Sequence, residues 1–354
     1  MHNYATDLQA DATPLIWQLL DYCGSWRTVD DVRRAVAPRL RISIVRTLLR
    51  SMTRAGFCEA SNRRRDRREA QMDEWESWNP AAGFFHTASR GGTYGDPSRL
   101  DLKLRKKAAR TAMPSFVRTG SRRTLKLPTP FPSPFSSVLL DRRTWRQFLP
   151  KPIEHADLAA LLAWTSGVTH WLTVPGLGEV PLTTSPSGGA RHPLETYVFV
   201  QRVRGVPAGL YRYAGDRHEL DVVSTGVASR ELRAMLPRQP WFSRAAVVLF
   251  FTAVFERTAW RYEFPRAYRA VLLEAGHVCQ TFLLAATSLG LAPFCTMALD
   301  DATVERALRI DGLSEAVIYA AGAGVRPAVD HRAVMPRGSE AATVRPNPVL
   351  GDVL

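Results

Sequence analysis

The sequence predicts an α+β protein, a mixed sheet flanked by helices around one long central helix, and three observations carry that prediction. Ala245 to Phe255 is a run of β-branched and aromatic residues of strand length, apolar enough to be covered on both faces. Tyr268 to Leu289 is a mostly apolar stretch of helix length, closed by Gly290. Leu210 to Ala214 and Leu220 to Ser224 flank Gly215-Asp216 and read as a hairpin, which breaks any regular strand-helix-strand series.

Taken in chain order, residues 13 to 59 carry three short helical patterns. These are Pro14 to Tyr22, then Val29 to Ala37 opened by Thr28, then Ile42 to Ala55 closed by Gly56. A charged, hairpin-like run from Asn62 to Arg68 follows and holds Arg63, Arg64, Arg65, Arg67 and Arg68. Three helices and a small wing make a winged-helix arrangement over residues 1–69. Such modules bind DNA in many regulators, and Arg41, Ser43 and Arg46 are polar enough at the start of the third helix to reach base edges. Residues 70–135 read as a basic connector, with a patch from Lys103 to Arg110 and alternating Pro128, Pro130, Pro132 and Pro134 that favour extended chain. From Ser136 the pattern turns to helices and strands: Glu154 to Trp164 helical, Thr196 to Val203 a strand, then the hairpin, the apolar strand, the long helix and a last strand from Ala316 to Ala323. Residues 327–354 form a tail.

The chemistry concentrates in three places. Ser187-Gly188-Gly189, followed by Arg191-His192, is a small-residue turn whose backbone N–H groups can approach a flat or anionic ligand. Arg142, Arg143, Thr144 and Arg146 put three guanidiniums and a hydroxyl within five positions, and guanidinium forks match phosphate oxygens. Glu274-Ala275-Gly276, ahead of His277 and Gln280, opens the apolar part of the long helix.

In order, spacing and content these elements resemble the nitroreductase-like flavoprotein superfamily over residues 136–326. Within it they resemble the SagB-type dehydrogenases, which oxidise azoline rings in ribosomally made peptides. The resemblance implies FMN as cofactor. It assigns phosphate and ring contacts to Arg142, Arg143, Thr144 and Arg146, and backbone amides along one edge of the isoalloxazine to Ser187, Gly188 and Gly189. Glu274, Ala275 and Gly276 would offer N–H groups from the positive end of a helix dipole. Trp260-Arg261-Tyr262 resembles a leucine-lysine-tyrosine signature of azoline dehydrogenases; Tyr262 matches and Arg261 replaces the lysine. Arginine stays protonated and cannot be a general base, so Tyr262 takes the proton-transfer or orienting role and Arg261 stabilises a developing anion. Trp78 to His86 resembles a segment preceding the catalytic domain in the same group, and the winged helix resembles leader-peptide recognition elements of peptide-modifying enzymes. The resemblance further implies a homodimer, supported by the apolar surface from Phe282 to Leu291, and as partners a precursor peptide with leader and core and a cyclodehydratase.

Composition narrows the alternatives. Of the formal net charge of +14, about +13 falls in residues 1–150, so a polyanion such as nucleic acid or an acidic peptide would meet the N-terminal part. Cys23, Cys58, Cys279 and Cys295 are scattered without a C-x-x-C pair, and no metal is expected. The apolar runs are interrupted by Glu274, His277 and Gln280, so a cytoplasmic chain outside the membrane is expected. No G-x-G-x-x-G follows a strand, which disfavours a resident nicotinamide site. The alternatives kept are a small-molecule nitro or quinone reductase and a non-catalytic winged-helix protein that binds peptide or DNA.

Overall fold

The computed structural model describes residues 2–3, 8–9, 11–62, 71–90, 97–111, 133–176, 178–226 and 229–328. Its contacts divide the chain into two compact units. One is Met1–Arg90 with Tyr262–Tyr268, the other Gly91–Arg261 with Arg269–Leu354.

In the N-terminal unit, α1 (Pro14–Tyr22), α2 (Val29–Val36) and α3 (Ile42–Arg54) form where the apolar spacing places them. Thr28 and Asp31 cap α2 reciprocally, each side chain taking the other's backbone N–H. Leu19, Val32, Val45 and Met52 make a small core. The arginine-rich wing, residues 63–68, lies outside the described residues. A 3-10 turn (Met72–Trp78) and α4 (Asn79–Ala88) continue this unit, so the first part of the predicted connector is helical. Trp75 stacks on His86 with ring centroids 5.0 Å apart, and His86 Nδ1 lies 3.1 Å from the Tyr268 hydroxyl. His86 is buried in an aromatic cluster, which gives it a packing role.

In the second unit Lys103, Arg105, Lys106 and Lys107 of the basic patch lie on α5 (Pro97–Ala108), and Arg110 just past its end. Pro128, Pro130 and Pro132 lie outside the described residues, and Pro134 does not continue an extended run. It sits at the first position of α6 (Pro134–Asp141), capped by Ser133 and Ser136, because a proline there gives up an N–H the helix would leave unpaired. Then come α7 (His155–Ser166), a separate hairpin of β1 (Val168–Val174) and β2 (Gly178–Thr183), and β3 (Leu194–Val200), β4 (Gly209–Ala214) and β5 (Glu219–Thr225). After α8 (Ser229–Met235) the chain forms β6 (Val247–Val254), α9 (Phe255–Ala259), α10 (Ala267–Ser288), β7 (Leu291–Thr296), α11 (Asp301–Leu308) and β8 (Glu315–Val325).

The six-stranded sheet runs β5-β4-β3-β6-β8-β7, and each neighbouring pair is antiparallel, so it is not mixed as the sequence suggested. Its central strands are apolar throughout because both faces are covered. Val198 and Val200 of β3 with Val247, Leu249 and Phe251 of β6 face α7 and α10. Tyr197 and Phe199 with Val248 and Phe250 face α8 and α11. Successive residues of a strand point to opposite sides, so one continuous apolar run serves two cores. Each of Phe250 and Phe251 is fully buried, worth roughly 1.5–3 kcal/mol.

Two expectations about α10 are corrected. The helix starts at Ala267, seven residues before Glu274, so residues 274–276 lie inside it. Phe282, Leu283, Ala285, Ala286 and Leu291 belong to the core and offer no free apolar surface for a second subunit. The helix is also long and apolar enough to cross a membrane, yet 56% of its most apolar stretch is buried within the protein.

Candidate functional site

The turn from Ser185 to His192 is built under strain. Gly189 has φ 62°, a left-handed value glycine adopts without cost, but Ala190 (52°) and His192 (44°) share that region and do carry a cost. Local hydrogen bonds hold it. Ser185 Oγ lies 2.8 Å from Thr281 Oγ1 on α10, which ties the turn to the helix. Ser187 Oγ accepts the His192 backbone N–H at 2.8 Å, and Arg191 Nε donates to the Gly189 carbonyl at 3.0 Å. His192 Nε2 donates to the Pro181 carbonyl at 2.8 Å, so its proton is on Nε2; burial above all pulls its pKa below the ordinary value.

Against this turn lies Glu274. The side chain is buried, and its pKa is pushed up to about 7 by that burial, partly opposed by the Ser187 hydroxyl and the Gly188 N–H, which both bond the carboxylate. Two predicted site elements therefore meet, though by a different contact. The backbone N–H groups at 274–276 are inside α10, where helix bonds use them, and a positive dipole end is not available there. The side chain of Glu274 makes the contact instead. A Cβ added at Gly276 would have nothing within 4 Å, so space is open beside the helix at that point. His277 and Gln280 are exposed while Glu274 is buried, so the three do not share one environment. Among the described residues no group of three or more His, Cys, Asp or Glu side chains could hold a metal.

The arginine stretch is an extended segment after α6, pinned where Trp145 N–H donates to the Pro293 carbonyl and Leu149 N–H to the Val325 carbonyl. Arg143 turns back to donate to the carbonyls of Leu140 and Arg142, closing the end of α6. A hydrogen bond from Cys279 above all holds the Cys295 thiol below its ordinary pKa; Tyr319 Oη donates to the same sulfur at 3.3 Å, and the charge of Arg142, which lies near it, acts in the same direction. Cys279 lies five residues beyond Glu274 on α10, about 7.5 Å along the axis. The arginine stretch and the turn thus lie along one helix. Arg146 is half-buried, and burial lowers its pKa with no carboxylate offsetting it among the described residues. Arg326, just past β8, stacks over Trp145 with its guanidinium carbon 4.8 Å from the ring centre. Sequence reasoning missed this fourth guanidinium; its signal was an arginine directly after the last strand.

Arg261 and Tyr262 straddle the division between the units. Arg261 is exposed, and its N–H bonds the Thr258 carbonyl at 3.2 Å; Trp260 beside it carries Arg191 of the turn at 5.2 Å. Tyr262 falls in the N-terminal unit, where Trp78 Nε1 donates to its carbonyl at 2.9 Å.

The sequence model of the nitroreductase family matches residues 139–325, which contain the arginine stretch, the turn and α10. This chain belongs to the nitroreductase family. It is 34% identical over 191 residues to the putative nitroreductase MJ1384 of Methanocaldococcus jannaschii, covering 54% of this chain and 92% of that one. To the trifolitoxin-processing protein TfxB of Rhizobium leguminosarum bv. trifolii it is 32% identical over 178 residues, 49% of this chain, and it spans only 47% of TfxB. The fold resembles a chain in the structure of the E. coli microcin synthetase McbBCD complex with truncated pro-MccB17 bound. There the TM-score is 0.54 at 18% identity, over 76% of this chain and all of that one.

Nitroreductase-family oxidoreductases bind FMN. The residues present fit it. Arg142 and Arg146 have no carboxylate partner among the described residues and suit a phosphate, while the glycine turn and the open space at Gly276 suit a flat ring.

Proposed function

We propose that this nitroreductase-family protein is a peptide dehydrogenase. It would oxidise an azoline ring of a ribosomally made peptide to the azole, or desaturate a related Cα–Cβ bond. The observation that carries the proposal is Glu274, a buried carboxyl held by the turn, with a pKa near 7 and no cation against it among the described residues. A group poised near neutrality can hold or release a proton with little driving force in either direction, as the loss of an acidic α-proton requires. The likeness to a toxin-processing protein, covering about half of each chain, supports a peptide as substrate.

FMN, when bound, supplies the two-electron acceptor. Arg142 and Arg146, with Arg143 and Thr144, would bind its phosphate, and Ser187, Gly188 and Gly189 would line its ring. Glu274 would be the group that holds the released proton, Tyr262 would transfer or orient it, and Arg261 would stabilise negative charge developing on the substrate. Residues 1–69 are proposed as a winged-helix element that holds the precursor peptide. A homodimer and a cyclodehydratase partner belong to the same proposal.

The test is direct. Purified protein should retain or take up FMN, seen as flavin absorption, and should remove two hydrogens from a synthetic azoline peptide, seen by mass spectrometry. Tyr262→Phe should slow that oxidation about a hundredfold. Rapid turnover of a quinone with a nicotinamide donor, and no change in the peptide, would instead favour a small-molecule reductase, the activity suggested by the likeness to MJ1384.

A further inference from the structure

The N-terminal unit contains a groove of about 1190 Å³ between the α1–α2 connection and α3. Its apolar lining includes Leu20, Trp26, Val29, Leu49 and Phe57 over the buried Val32, Trp26 being exposed. Arg46, Arg50 and Arg54 also line it, spaced four residues apart and so on one face of α3. All three are exposed, and among the described residues no carboxylate pairs with them. Arg27 lines the groove as well, stacked over Tyr22 at 5.1 Å. Against these four cations the lining offers one carboxylate among the described residues, Glu59. Cys23 and Cys58 are also part of the lining, and burial pushes Cys58 up to about 11, so it remains a neutral thiol.

We propose that this groove binds an acidic peptide segment in which carboxylate and apolar side chains alternate. The inference rests on the proposal that the substrate is a peptide, and names where a part of it remote from the reacting ring would dock. Four-residue steps along α3 place the arginines about 6 Å apart. Alternate residues of an extended peptide are about 6.6 Å apart, so successive acidic side chains can meet successive guanidiniums while the intervening side chains cover the apolar lining. A nucleic acid backbone would satisfy the arginines but has no apolar side chains to place against the half-buried Val29, Leu49 and Phe57.

The test uses the full chain and fluorescence anisotropy. The probe is a labelled peptide of about ten residues alternating Glu with Leu. Three comparisons accompany it: a peptide with Lys in place of Glu, one with Ser in place of Leu, and a random DNA duplex. The Glu-Leu peptide should bind, more weakly as salt rises, and both altered peptides should bind at least about tenfold less tightly. R46E/R50E/R54E should weaken binding roughly tenfold or more. Circular dichroism checks that this variant is folded, and R46K/R50K/R54K should retain most of the affinity. Equal binding to wild type and the reversed-charge variant overturns the proposal, as does equal binding of the Ser peptide. Tighter binding of the duplex overturns it in favour of nucleic acid. FMN content and oxidation of a short azoline peptide lacking any acidic segment report separately on the dehydrogenase proposal: they should be unchanged in R46E/R50E/R54E, and their absence in wild type would sink that proposal while leaving the groove measurement intact.

Discussion

Glu195 on β3 and Glu274 on α10 are both shielded carboxyls of the same unit, and their surroundings differ in one respect. Glu195 accepts Arg212 at 2.7 Å on one oxygen and Arg257 at 2.5 Å on the other; Arg212 also lies 3.7 Å from Asp221. Among the described residues Glu274 has a hydroxyl and a backbone N–H but no cation, and Arg142 and Arg146 have no carboxylate. Around Glu195 the charges cancel within the fold, so that region is complete as it stands. Along α10 both signs are left uncompensated, at a cost that a bound anionic cofactor and a proton exchanged in turnover would offset.

The contrast can be broken at either end. The largest effect should follow R142A/R146A. Two lost charge-assisted contacts, about 2 kcal/mol each, should weaken FMN binding by roughly a thousandfold, read by flavin fluorescence titration. The urea denaturation of the FMN-free protein should be nearly unmoved, because among the described residues those arginines pair with no carboxylate; a large loss of stability would place them with Glu195 instead. Glu274→Gln comes next. The folded pKa of about 7 stands above the ordinary 4.5, so the stability contributed by its proton is full below about pH 4.5 and is lost as pH rises through about 7. The glutamine variant should therefore be more stable than wild type at pH 8, by at most roughly 3 kcal/mol, and should match wild type at about pH 4, both read by thermal melting. Glu195→Gln should be smallest. It leaves two guanidiniums facing a neutral amide, and because both are about 40% exposed the cost should be about 2 kcal/mol in urea denaturation, with FMN affinity unchanged.

Much of this architecture was legible because apolar period is a strong local signal. The strand at Ala245 to Phe255, the hairpin at Gly215-Asp216 and the helix beginning near Tyr268 stand within a few residues of their expected places. The hairpin Val168–Thr183 was missed because its strands are mostly exposed and carry little periodic burial. The arginine stretch and the glycine turn were visible as clusters of unusual composition. The role of Glu274 was not, since a lone carboxylate in an apolar helix reads alike whether it caps, pairs or stays alone. Only the fold shows that Ser187 and Gly188, 86 residues or more upstream, are its partners. Arg326 was overlooked for the same reason, its stacking partner Trp145 lying on the far side of the domain in sequence.

The N-terminal unit is not finished when its first ninety residues have been made. Tyr268 packs on Trp75, Trp78 and His86, and Trp78 is bonded to the Tyr262 carbonyl, so the aromatic cluster closes only after the ribosome has passed those positions. During synthesis the early segment must wait with indole surface uncovered, a state open to chaperones and to aggregation. A chain truncated after Arg90 would stay in that state permanently.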